Sequence, residues 1–229
     1  VCAIVLSAFF LQSKASDTIT NPKNSVAQTM RQALTEAAIN PSYRLLTTGF
    51  FVCGFQVAFL AMHLPAYLQD AGMTARTSAI ALALIGFFNI VGTYGCGVLG
   101  GIFPKRYILS ILYLTRAIVF LLFIAHPVSE WSVYLFSIMM GLLWLGTVPL
   151  TSALVAQIFG AQYMATLFGI VFFGHQLGSF FGVWIGGYLY DEMKTYDVVW
   201  YGSIALGIIA ALMHLPIREQ PLQRRQVKA

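Results

Sequence analysis

Few groups in this sequence could do chemistry, and each stands in apolar surroundings. Arg116 lies within the run Leu112-Tyr-Leu-Thr-Arg116-Ala-Ile-Val-Phe120. A fixed guanidinium there would attract an anion and could grip a carboxylate through two parallel hydrogen bonds. The structural alternative is that it bonds backbone carbonyls or helix ends between packed elements. His175 and Gln176 are adjacent in a second such run, with Ser179 one helical turn on. A histidine can gain and lose a proton near neutral pH, and a glutamine both donates and accepts; the simpler reading is a hydrogen bond to a neighbour. Asn89 and Thr93, four residues apart, make a polar stripe on one helix face, and Gln56 is a similar lone amide. His63 stands just before Pro65, nearer a segment end, where a mouth or gating role fits better than a central site.

Other chemistries leave no trace. The apolar runs contain no Asp or Glu, which a carboxylate-dependent catalyst would require, and GxSxG, HExxH, P-loop and dinucleotide patterns are absent. Cys2, Cys53 and Cys96 fall in apolar runs without a CxxC or a neighbouring His pair, and read as small buried hydrophobes. No metal, no cofactor and no enzyme activity is expected.

The elements that carry these groups follow from composition. Of 229 residues, 59% are hydrophobic and only 9% charged, with a mean hydropathy of +0.78. Soluble domains carry about 25% charged residues, so a soluble enzyme, a disordered tail and a nucleic-acid-binding domain are excluded. Six spans read as Tyr43–Leu68, Ser78–Phe103, Tyr107–Ala125, Trp131–Phe159, Met164–Tyr190 and Val198–Pro216, each long enough for a bilayer core of about 30 Å. Helices are implied, because lipid offers backbone groups no partner and barrel-strand alternation is missing. Arg116, ten residues beyond Arg106, would lie ~15 Å deep at 1.5 Å per residue, where an ionisable group is a functional candidate by default. His175 falls near the same level.

Val1–Leu11 is too short to span and reads as the end of a preceding transmembrane helix, so a longer parent protein is expected; a signal peptide would need a basic stretch ahead of it. Residues 12–42 form a polar loop in which Val26, Met30, Ala33, Leu34 and Ala37 repeat at helical spacing until Asn40-Pro41. This predicts an amphipathic helix, either lying on the membrane face or packing on the bundle ends. The connections sort by charge. Lys14, Lys23, Arg31, Arg44, Lys105, Arg106, Arg218, Arg224, Arg225 and Lys228 fall on one side, against Arg76 and Lys194 on the other. The positive-inside rule makes the first side, with the 217–229 tail, cytoplasmic. The expectation is a multi-pass protein of a plasma membrane, the inner membrane in a bacterium, with no nucleic-acid partner.

Glycine supplies a packing signal. Gly174, Gly178, Gly182 and Gly186 recur every fourth residue, and Gly92, Cys96 and Gly100 share a face of the second span. Such smooth stripes let another helix approach closely in lipid. Pro149 should kink its span, because its i−4 hydrogen bond is lost.

These features together resemble the C-terminal half of a major facilitator superfamily transporter. The run Gly97-Val-Leu-Gly-Gly-Ile-Phe-Pro-Lys-Arg106 is similar to the family's inner-loop motif: Gly97, Leu99, Lys105 and Arg106 match, while Gly101 stands where Asp is usual. Gly186-Gly-Tyr-Leu-Tyr-Asp191, followed by Tyr196-Asp197 and Trp200, resembles the outer loop before the last helix in monocarboxylate and oxalate/formate-type carriers. The resemblance implies an all-α, six-helix C-terminal bundle (the family's helices 7 to 12) after the end of helix 6 and a loop helix. It implies two pseudo-symmetric three-helix units, and alternating access around a midplane site shared with an N-terminal half. Gln56, His63, Asn89, Thr93 and His175 would stand on cavity-lining helices, and Arg116 on the usually peripheral ninth. The implied partner is a small solute, leaning towards a monocarboxylate or other organic anion, moved by symport or antiport. A seven-helix receptor and a non-transporting scaffold are the rivals; the last span lacks the Lys a retinal protein needs.

Overall fold

The computed structural model describes residues 28–222, so the expected helix end at 1–11, most of the loop before Gln28 and the tail beyond Leu222 lie outside the described residues. Eight helices follow in order: α1 Met30–Ile39, α2 Pro41–Asp70, α3 Ala75–Ile102, α4 Lys105–Ala125, α5 Glu130–Leu143, α6 Thr147–Phe159, α7 Met164–Met193 and α8 Asp197–His214. No strand occurs among the described residues. With α5 and α6 counted as one broken span, six helices are long and apolar enough to cross a membrane. The protein is an all-helical, multi-pass membrane protein.

Local sequence explains the boundaries. Thr29 and Gln32 close a capping box on α1, Asn40 caps α2 with Pro41 in its first turn, and Thr74 caps α3. Gly72 (φ 79°) and Gly160 (φ 84°) turn the chain in a conformation that a Cβ disfavours. Helix α2 extends two residues beyond each expected end, and α7 runs on to Met193, where Lys194 stops it in the left-handed region (φ 54°). Helix α1 packs onto the bundle end: Ala33 and Ala37 are buried, and Tyr163 Oη donates to the Gln28 carbonyl at 2.7 Å.

Three helix pairs carry most of the packing: α2 with α7, α3 with α5, and α4 with α8. Exchanging the first three spans with the last three turns the first pair into the second and leaves the third unchanged. The bundle is therefore built of two three-helix units in equivalent arrangements. Between helices in lipid there is little hydrophobic drive, so close backbone approach and buried polar contacts must hold the pairs. In the α2–α7 pair, a Cβ on Gly178 or Gly182 would run into the Phe51 or Phe55 carbonyl of α2, and one on Gly54 into the His175 carbonyl. In the α3–α5 pair, Gly92 lies against the Leu142 backbone and Gly141 against that of Ile85. Gly174 meets the Thr47 side chain and Gly186 the His63 ring. In the first turn of α8, Trp200 is enclosed by Phe59, Tyr67, Phe120, Phe123 and Phe136, with ring centroids 5.2–6.1 Å away.

Candidate functional site

The fourth span is not continuous. Helix α5 stops at Leu143 and α6 starts at Thr147, leaving Trp144-Leu145-Gly146 outside the regular helical hydrogen-bond ladder. Pro149 explains part of this, since it cannot donate to the Leu145 carbonyl four residues back; Val148 N–H takes that carbonyl instead, at 3.0 Å. The other freed backbone groups need partners, because none can be left unsatisfied in lipid.

The polar side chains of neighbouring helices supply them. Arg116, fully buried on α4, donates through Nη2 to the Leu143 and Trp144 carbonyls, at 2.5 and 3.0 Å. Its Nη1 donates to Gln56 Oε1 at 3.1 Å and reaches Cys53 Sγ at 3.6 Å. Gln56, also fully buried, uses its Nε2 on the Ser203 carbonyl at 2.8 Å. Cys53 and Thr147 meet at 3.3 Å. On the opposite flank, Asn89 Oδ1 accepts from Leu145 N–H at 3.1 Å and from Thr93 Oγ1 at 3.0 Å. Residues from α2, α3, α4 and α8 thus converge on one break.

Arg116 makes no bond to a carboxylate among the described residues. Its positive charge is enclosed by carbonyls, an amide and a thiol, and the Tyr113 ring lies 5.5 Å from the guanidinium carbon. In front of the break is a groove of ≈ 460 Å³ lined by Asn89, Ile90, Thr93, Tyr94, Leu145 and Val148. Asn89 and Thr93 are half-buried there and Tyr94 is exposed. Arg116 does not line it; it stands behind the backbone that does.

The remaining candidates lie elsewhere. His175 is buried where α7 crosses α2, its ring against Phe50 (4.8 Å) and Phe172 (5.5 Å), with Nδ1 3.3 Å from Gln176 Oε1. Its Nε2 is buried without a hydrogen-bond partner, beside the Cys53 thiol. Gln176 faces outward from the bundle. His63 bridges α2, α7 and the last outer loop, with Nε2 3.0 Å from the Val183 carbonyl and Nδ1 3.3 Å from Tyr196 Oη. Burial first, then the charges of Tyr190, Asp70 and Asp191, raise the Tyr196 pKa above the usual tyrosine value. The hydroxyl therefore stays protonated around neutral pH.

The inner-loop residues work at the basic end. Lys105 Nζ donates to Gln157 Oε1 of α6 at 2.9 Å, and Arg106 Nη1 to the Ile217 carbonyl at 3.2 Å. Gly97 has open space where a side chain would project, and Leu99 is exposed. Two participants went unread in the sequence. Cys53, which the sequence alone presents as a small hydrophobe, accepts from Arg116; its place three residues before Gln56, on the same helix face, is the signal that could have found it. Glu219 accepts from Arg106 N–H at 2.7 Å, near the start of α4, where Pro104 offers no side-chain cap; no local pattern announces that contact.

The Major Facilitator Superfamily profile matches residues 1–182 and, in a second overlapping match, 95–229. The chain belongs to the Major Facilitator Superfamily. Among curated relatives, an uncharacterized MFS-type transporter of Bacillus subtilis (strain 168), YcxA, is 28% identical over 177 residues, covering 75% of this chain and 43% of the relative. Monocarboxylate transporter 3 of Rattus norvegicus and that of Mus musculus are each 27% identical over 139 residues, covering 59% of this chain and 28% of each carrier. The chain therefore spans less than half the length of the curated relatives it matches. As a superfamily member it presents the expected six-helix bundle of two three-helix units.

Proposed function

We propose that this chain forms the C-terminal half of a secondary active transporter that carries a small organic anion by alternating access. The basic end, with Lys105, Arg106 and Arg218, faces the cytoplasm in this reading, and a companion bundle supplies the opposite wall of the solute path. The observation that carries the proposal is the broken fourth span: a guanidinium with no carboxylate partner among the described residues sits directly behind a groove edged by Asn89, Thr93 and Tyr94. A buried cation without an acidic partner sets up a positive potential in a low-dielectric region. An anion in the groove would gain from that field without touching Arg116, while Asn89 and Thr93 offer polar groups for orientation. The rodent relatives, both monocarboxylate transporters by name, support a monocarboxylate. Coupling by a protonatable group in these spans would fall to His175 or His63, since the spans hold no acid between their ends.

Uptake into liposomes containing the full-length protein tests this. Labelled small carboxylates should accumulate, more so with an imposed pH gradient if protons are coupled, and Asn89→Ala should lower uptake about tenfold, equivalent to one buried charge-assisted hydrogen bond. Preference for neutral or cationic solutes over every carboxylate tried would overturn the anion assignment.

A further inference from the structure

The basic end of the bundle carries a second cavity that the transport reading does not use. It occupies ≈ 540 Å³ between the start of α4 and the chain that follows α8, and is lined by Pro104, Arg106, Arg218, Glu219 and Gln220. We propose that this cavity binds the headgroup of an anionic phospholipid, its phosphodiester held by the Arg106 and Arg218 guanidinium groups.

Four observations carry the assignment. The walls are fastened: Arg218 N–H donates to Ser42 Oγ at 2.9 Å, Leu222 N–H to the Ile158 carbonyl at 2.9 Å, and Ile217 is fully buried. The two arginines are differently employed. Arg106 is oriented by the Ile217 carbonyl and by Tyr107 Oη, at 3.2 and 2.9 Å, whereas the Arg218 guanidinium has no partner among the described residues and is exposed. The acid in the cavity is engaged, since Glu219 Oε1 accepts from Arg106 N–H, so the lining keeps a net positive charge. Finally, Tyr107, Ile111, Leu114, Ile118 and Leu121 are all exposed. Their spacing of four, three, four and three residues makes one apolar stripe along α4 leading away from the cavity.

That last feature selects a lipid over a soluble phosphate. A headgroup at Arg106 and Arg218 leaves its acyl chains against the stripe, in register with the bilayer, and basic pockets at the ends of membrane helices are suited to anionic headgroups. Arginine suits a phosphodiester because its planar fork meets two oxygens at once.

The test uses the full-length protein in nanodiscs of phosphatidylcholine with and without phosphatidylglycerol, with retained lipid read by native mass spectrometry. Wild type should retain phosphatidylglycerol over phosphatidylcholine. Arg218→Gln, which breaks no contact among the described residues, should weaken retention about five-fold, the value of one basic residue near an anionic surface; Arg106→Gln should do the same, and the pair should compound. Arg44→Gln, an exposed basic residue at the same end but outside the cavity, should leave retention unchanged. An equal loss in Arg44→Gln would overturn the proposal in favour of general surface attraction. Unaltered retention in Arg218→Gln would overturn it outright. So would a wild type that shows no phosphatidylglycerol preference yet binds inorganic phosphate through the same two arginines.

Discussion

The α2–α7 pair and the α3–α5/α6 pair each join one helix from either three-helix unit and change places when the units are exchanged, yet they are held together differently. Both use glycine to bring backbones into contact: Gly54, Gly178 and Gly182 in the first, Gly92 and Gly141 in the second. In the first pair both helices are unbroken over 30 residues. In the second, one partner is interrupted at Trp144–Gly146, and side chains from Arg116 and Asn89 replace the missing backbone bonds. A shared packing solution thus leaves one pair continuous along its length and gives the other a polar, jointed centre. A groove opens at the break of the jointed pair.

This contrast can be broken from either side. The largest effect is expected from Arg116→Met, which keeps volume but strands the Leu143 and Trp144 carbonyls and Gln56 Oε1. With one to three kcal/mol for each stranded buried group, tempered by the smaller values found between membrane helices, stability should fall by about 3 kcal/mol, seen as a lowered midpoint in thermal unfolding of the purified protein. Gly178→Val should cost about 2 kcal/mol by overpacking, and Gly92→Val a similar amount, because both meet backbone that cannot move aside. A clear inequality between those two would show that the pairs do not share a packing solution. Asn89→Ala frees the Leu145 N–H and should cost about 1 kcal/mol, read by the same midpoint. Pro149→Ala should change stability by less than about 0.5 kcal/mol, since Val148 already serves the Leu145 carbonyl. A large gain in Pro149→Ala would mean that proline alone enforces the break and that Arg116 merely fills it.

Much of the architecture was legible because membrane helices obey few rules. Apolar length marked the spans, charge marked their ends, and fourth-residue spacing from Gly174 to Gly186 marked a single face. The site was only partly legible. Pro149 pointed to within a turn of the break, and Asn89 with Thr93 pointed to the face that borders it. What Arg116 does was hidden, because its partners are main-chain carbonyls of Leu143 and Trp144, which carry no side-chain signature. Gln56 read as a lone amide because its partners, Arg116 and the Ser203 carbonyl, lie 60 and 147 residues along the chain. The loop helix was foreseen, but whether it rested on lipid or on the bundle depended on Ala33 and Ala37 finding a surface, which spacing alone does not reveal. Glu219 beside Arg106 is a contact over 113 residues and belongs to the same class.

Amide hydrogen exchange through residues 141–148, compared between wild type and Arg116→Met, tests the jointed centre most directly. Exchange at the Leu145 and Val148 amides should be slow in wild type and accelerate strongly in the variant, while amides of Phe51 to Phe55 in the unbroken pair keep their protection. Unchanged exchange across the break, or an equal rise in both helix pairs, would contradict the account of Arg116 as the clasp of a divided span.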